Sequence, residues 1–264
     1  MTKKIDHSIK KFLAAKHDRI LDFSQYTHAR LGLGHAGGHL PISAWLDLQQ
    51  SFAQAKDAVF SKFDVNAITS LCESLSINSL ELQSQATDVM QFLLRPDLGR
   101  LLSSDSEMKL NQLIQQHSEY QHRDILIVVS GGLSPVSIQK QIPLFLNSFI
   151  NKCRTYQWTL APVIINPRGR VALGDQINQY FKSQITIMLI GERPGLTTPD
   201  SMGIYFTYDA SPGCTDEKRN CISNIHEYGL PHNDAADKLI QLINKSLQLR
   251  LSGFELKDGA PEIT

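Results

Sequence analysis

The chain has 264 residues, 42% of them hydrophobic, and its 26 basic and 26 acidic side chains balance to a formal net charge of zero. That balance leaves no basic footprint for a phosphate backbone, so nucleic acid is not an expected partner. No run of 18 apolar residues is present, which predicts no transmembrane helix. The four cysteines (Cys72, Cys153, Cys214, Cys221) form neither a CxxC pair nor a zinc pattern, which predicts reduced thiols in a cytoplasmic protein.

In chain order, Met1 to Lys4 is basic but lacks the apolar core of a signal peptide. Ile5, Ile9, Phe12 and Leu13 recur at helical spacing. With Lys3, Lys4, Lys10, Lys11 and Lys16 they predict a basic amphipathic helix, either a docking or encapsulation segment or a plain solvated face. A glycine-rich interruption follows at Gly32 to Gly38. Leu40-Pro41 then opens a predicted helix running to about Phe60, with Pro41 near its first turn. Further helices are expected over 66–75 and 88–94, the second ended by the Arg95-Pro96 step. Residues 1–120 therefore predict a helical N-terminal region.

From residue 121 strand and helix signals alternate: strand 124–129, helix near 135–153, strand 161–165, helix near 173–182, strand 185–190, a loop over 191–203, strand 204–208, and a last helix near 234–251. The strands are continuous branched runs, as in parallel strands buried on both faces. Their βαβαβ order predicts an α/β fold, a mostly parallel sheet flanked by helices with right-handed crossovers, over residues 121–258. A tail at 259–264 is expected to be disordered.

Three glycine-rich loops follow the first three of these strands: Ser130 to Ser134, Asn166 to Arg170 and Gly191 to Gly195. Ligands of open parallel sheets sit beyond the carboxyl ends of the strands, so the loops predict one crevice for a sizeable ligand. Gly32-Leu-Gly34-His-Ala-Gly37 matches a dinucleotide fingerprint in letters but has no preceding strand, and reads as a loop. His35 and His39 have the spacing of two helical metal ligands, yet Gly37 and Gly38 between them argue against a helix. Asn224-x-His226-x-x-Gly229 is one residue from the D-x-H-x-x-G motif of proteins whose histidine replaces the lower axial base of cobalamin. Asn in place of Asp favours a structural histidine. Glu192 and Arg193 carry two readings: a local ion pair with Arg168, Arg170 or Asp200, or a Glu192 that accepts hydrogen bonds from a ligand. A Cys221–His226 nucleophile pair is open, although a ligand-contacting or buried thiol is the simpler reading.

Taken together, Thr27 to Gly34, Ala55 to Val59, Leu94 to Arg100, Gly169-Arg-Val-Ala-Leu-Gly-Asp175, Leu189-Ile-Gly-Glu-Arg-Pro-Gly-Leu196, Thr198 to Ser201, Arg219-Asn-Cys-Ile-Ser-Asn-Ile-His226 and Leu251 to Gly253 make the chain similar to the small (light) subunits of ethanolamine ammonia-lyase. The resemblance implies a Rossmann-like C-terminal part behind a helical region that makes inter-subunit contacts, and a hetero-oligomer with a large TIM-barrel subunit that carries the substrate site. It implies adenosylcobalamin bound base-on between the two, contacted on this chain by Val171, Glu192 and Cys221, with no catalytic residue and no metal ligand here. The implied reaction is the radical conversion of ethanolamine to acetaldehyde and ammonia. Enclosure in a bacterial microcompartment is left open, as are two alternatives, a stand-alone nucleotide- or corrinoid-binding module and an assembly-only paralogue. The sequence departs from the family pattern at Gly131, where Asp is usual, and at His35, Phe52 and Lys56.

Overall fold

A computed structural model describes residues 29–256; the predicted helix around Ile5 to Leu13 and the tail at 259–264 lie outside the described residues. The described chain divides into two units, residues 29–56 with 195–197, and residues 57–194 with 198–256.

In the first unit Ala36 and His39 exchange backbone hydrogen bonds of 2.8 and 3.3 Å around Gly37-Gly38. Gly32, Gly34 and Gly37 all take positive φ. The stretch is a tight turn with no strand before it, as its context predicted. The guanidinium of Arg30 donates to Ser51 Oγ and, at 3.4 Å, to the Leu196 carbonyl. Helix α1 (Ile42–Phe60) starts where Pro41 offers its carbonyl to the Trp45 N–H, and it runs on into the second unit.

The second unit opens with α2 (Val65–Ser74), capped by Asp64, and β1 (Ser79–Glu81). Then come α3 (Val89–Leu94), capped by Asp88, and α4 (Ser104–Gln116), capped by Ser103. Each cap side chain takes an amide N–H that the first turn leaves unpaired. α3 stops at Arg95, which the following Pro96 holds out of the helical region. β2 (Ile125–Ser130), α5 (Pro135–Thr155), β3 (Val163–Asn166), α6 (Leu173–Phe181) and β4 (Ile185–Gly191) form the expected alternating run. β5 (Met202–Tyr208), β6 (Arg219–Ile225) and α7 (His232–Leu249) complete it.

The sheet order is β1-β3-β2-β4-β5-β6. β1, β3, β2 and β4 are parallel; β5 is antiparallel to β4, and β6 to β5. The fold is thus the predicted α/β class with a mostly parallel sheet and a largely helical N-terminal region. β3 lies on one side of β2 and β4 on the other, so the two crossovers leave in opposite directions. Accordingly α5 packs with Ile125, Ile127 and Val129 on one face of the sheet, and α6 with Leu126 and Val128 on the other. Every residue of β2, β3 and β4 is buried, which is why these strands are apolar throughout.

Three elements escape the sequence reading. β1 has only three residues. α4 buries only Ser106 and Leu110, too little to leave a periodic apolar signal. β6 buries only Ile222 and Ile225 among polar neighbours, since it forms the edge of the sheet.

The glycine loops close against one another. The Leu133 N–H donates to the Gly191 carbonyl (3.0 Å), and the Gly131 N–H to the Asn166 carbonyl (3.3 Å). Buried Ser130 Oγ donates to the Gly169 carbonyl and accepts from its N–H, both at 2.9 Å. A Cβ on Gly132, at φ +56°, would lie 2.3 Å from the Gly191 carbonyl oxygen. One on Gly131 would lie 2.5 Å from the Pro167 oxygen and 2.9 Å from the Phe63 ring. Backbone therefore closes the loops against one another at these points, while a cavity of about 360 Å³ remains beside the first two, lined by Gly132, Pro167 and Arg168 with Phe63 and Phe92. Glycine at 131 fits where an aspartate would have to displace the second loop.

Candidate functional site

A cavity lined by described residues lies to one side of those loops, where the start of α6 faces the antiparallel edge of the sheet. It encloses about 600 Å³. Arg170, Val171 and Ala172 form one wall, Tyr205, Arg219 and Cys221 another, and Pro96, Arg100 and Cys214 to Asp216 its rim.

Two of the three sequence-predicted residues meet here. Val171, half-buried, lies two residues before α6 begins, in a turn that holds a Leu173 N–H to Arg170 carbonyl bond of 2.9 Å. Cys221 is exposed on β6, directly across from Tyr205 on β5. Glu192 does not line the cavity. It leaves the end of β4 and stands within electrostatic reach of Cys221 and Tyr205.

The Glu192 carboxylate is already anchored. Oε2 accepts from Ser201 Oγ at 2.5 Å and from the Asn224 N–H at 3.2 Å, while Oε1 is 3.4 Å from the same N–H. Gly203 makes room for it, since a Cβ there would stand 2.8 Å from Oε1. The local ion pair weighed for this residue does not form: Arg168 donates to the Ala86 carbonyl, Arg170 to the Phe92 carbonyl, and Asp200 pairs with Lys140 at 2.6 Å. Two or three bonds leave lone-pair capacity on a carboxylate, chiefly on Oε1.

Cys221 is not an activated nucleophile. The surrounding protein pushes its thiol up, and Glu192 adds to the shift, so the protonated form dominates at neutral pH. Burial, followed by the Cys221 neighbour, pushes the Tyr205 phenol up to about 12. His226 cannot serve as base for Cys221, nor as a metal ligand in this conformation. It is buried, with Nε2 bonded to Asn224 Oδ1 at 2.9 Å, while Nδ1 accepts from the Tyr228 N–H at 3.2 Å. The accepting Nδ1 fixes the Nε2–H tautomer. A Cβ on Gly229 would come within 2.5 Å of Nε2. Asn224, His226 and Gly229 thus form one compact structural unit, as the structural reading of that motif expected.

The sequence reading missed the strongest ion pair of the site. Arg219 on β6 holds Asp175 on α6 through two bonds of 2.8 and 2.6 Å, with both side chains 4% exposed. Burial pushes the Asp175 carboxyl up, and the bidentate guanidinium opposes that push. Arg219 also bonds Asp216, Thr207 Oγ1 and the Cys214 carbonyl, tying the cavity rim to its floor. No spacing rule links positions 175 and 219; only the fold brings them together. Among the described residues no group of three His, Cys, Asp or Glu side chains is placed to hold a metal ion.

A family model of the ethanolamine ammonia-lyase light chain (EutC) matches residues 17–257. The ethanolamine ammonia-lyase small subunit of Pseudomonas fluorescens (strain Pf0-1) is 42% identical over 240 residues, covering 91% of this chain and 87% of that protein. Those of Pseudomonas putida (strain GB-1) and Azotobacter vinelandii (strain DJ) are 44% and 41% identical over 234 residues, covering 89% of this chain and 85% and 86% of theirs. By a match that spans both units and every residue of the cavity, the chain belongs to the ethanolamine ammonia-lyase light-chain family.

Proposed function

We propose that this chain is the small subunit of an adenosylcobalamin-dependent ethanolamine ammonia-lyase, a carbon–nitrogen lyase that converts ethanolamine to acetaldehyde and ammonia. In this reading residues 121–258 contact the cofactor and residues 1–120 contact a large TIM-barrel subunit that carries the substrate. When bound, the cofactor supplies the radical chemistry. This chain's residues bind it, orient it and shield it from water. The reading places the assembly in the cytoplasm and leaves enclosure in a microcompartment open; no described helix is long and apolar enough to cross a membrane.

One observation carries the proposal: Val171 and Cys221, far apart in sequence, share one cavity, with the Glu192 carboxylate in electrostatic reach of its Cys221 side. The residues fit the edge of a base-on corrinoid. Oε1 of Glu192 retains capacity to accept from peripheral amide N–H groups. Val171 offers apolar contact, and the protonated Cys221 thiol is a small, weakly polar neighbour. Both ring nitrogens of His226 are held within the chain, so the reading gives this histidine no role toward the cofactor.

The test is Glu192→Ala in the reconstituted complex. Loss of a hydrogen bond to a charged group weakens cobalamin binding by about 1.5–3 kcal/mol. The KM for ethanolamine should stay unchanged. Equal cobalamin affinity in mutant and wild type would remove Glu192 from the site.

A further inference from the structure

The cavity wall carries positive charge that no described carboxylate neutralises. Arg170 is half-buried, with its guanidinium 4.1 Å over the Phe92 ring and one Nη donating to the Phe92 carbonyl at 2.7 Å. Its Nε is buried and has no hydrogen-bond partner among the described residues. The Arg170 N–H donates to the Gly99 carbonyl at 2.7 Å, which sets the segment of Arg100 directly beside it. Arg219, on the facing wall, is bonded to both Asp175 and Asp216. Among the described residues neither Arg170, Arg100 nor the nearby Arg193 has a carboxylate within ion-pair distance. Burial first, then the charges of Arg100 and Arg193, push the Arg170 guanidinium below its ordinary value.

Gathering like charges and partly desolvating one of them is costly unless an anion arrives. A planar guanidinium fixed on an aromatic face suits a two-point contact with an oxyanion, and exposed Arg100 adds a second cation at the rim. We infer that Arg170 and Arg100 form an oxyanion seat on the Val171 wall of the cavity. Its occupant is a phosphodiester belonging to the bound ligand or a carboxylate from a neighbouring subunit. The phosphodiester case rests on the corrinoid reading above; the seat itself does not.

The experiment uses full-length chain reconstituted with a large subunit, as wild type, Arg100→Met, Arg170→Met and Arg170→Lys. Arg100 is exposed, so its replacement leaves the fold intact, and Arg170→Lys keeps the charge while losing the fork. Affinity for cyanocobalamin is compared with that for dicyanocobinamide, which lacks the phosphodiester. A fall of about tenfold or more for cobalamin, with cobinamide unchanged, puts the phosphodiester in the seat. Unchanged corrinoid affinities with weaker, less salt-sensitive subunit association put a partner carboxylate there. An equal loss for both corrinoids, or no loss in either measurement, overturns the seat. If the corrinoid reading itself fails, the wild-type complex will bind neither corrinoid. The isolated chain then decides: inorganic phosphate should raise the melting temperature of wild type and not of Arg170→Met, and an equal rise in both overturns the seat.

Discussion

The two halves of the sheet divide the work differently. The parallel half, β1 to β4, buries every position of its three long strands and folds its glycine loops onto one another. In the antiparallel half β5 is mostly buried, but the edge strand β6 buries only Ile222 and Ile225 and leaves Cys221, Ser223 and Asn224 open. Close backbone approach in the first half serves rigidity, and the side chains able to meet a ligand gather where the second half faces the start of α6. A glycine after a strand is thus as good a sign of loop-on-loop packing as of a ligand.

The contact that ties the halves together should give the largest effect. Arg219→Met leaves Asp175 buried without its bidentate partner. Removing one member of a buried pair costs about 3–5 kcal/mol, and thermal unfolding at neutral pH should show it. The sign with pH follows from linkage. Without Arg219 the folded-state pKa of Asp175 stands above its unfolded value, so the folded state binds the extra proton. The mutant's deficit should therefore shrink as pH falls from neutral toward the unfolded carboxylate value. A deficit that is constant with pH would mean that Asp175 is solvated rather than buried.

The parallel half can be broken at one atom. Gly132→Ala forces a left-handed residue to carry a Cβ against the Gly191 carbonyl, whereas Gly37, also left-handed, has nothing within 4 Å of that position. Backbone strain alone costs about 1–2 kcal/mol at either site. The denaturation midpoint should fall clearly further for Gly132→Ala. Equal losses would show that the loop contact can relax.

The same contrast explains what the sequence made legible. Branched runs such as Ile125 to Val129 and Ile185 to Ile190 reveal their burial because every position is apolar. The helix boundaries follow from caps and prolines such as Asp88, Pro96 and Pro135. β6 stayed hidden because its sequence, Arg-Asn-Cys-Ile-Ser-Asn-Ile, has only two buried apolar positions in seven. Glu192 and Cys221 could be singled out locally as ligand-contacting candidates, but Val171, and the joining of all three into one site, came from the family resemblance, since no local pattern links them. The Arg219–Asp175 pair and the unmatched Arg170 could not be read at all, because a charge partner 44 residues away is a property of the fold.

The smallest effect tests whether the anchored carboxylate depends on the turn behind it. Asn224 has φ +64°, donates its N–H to Glu192, and accepts from His226 through its side chain. His226→Phe keeps ring volume against Gly229 and removes both imidazole bonds. Exposed Asn224 and Tyr228 can turn to water, so stability should fall by only about 1 kcal/mol. Cobalamin affinity of the complex should fall a few-fold in the wild-type background and not at all once Glu192 is already alanine, because groups acting through one another are non-additive. The same loss in both backgrounds would sever the turn from the carboxylate, and the antiparallel edge would then hold Glu192 through Ser201 alone.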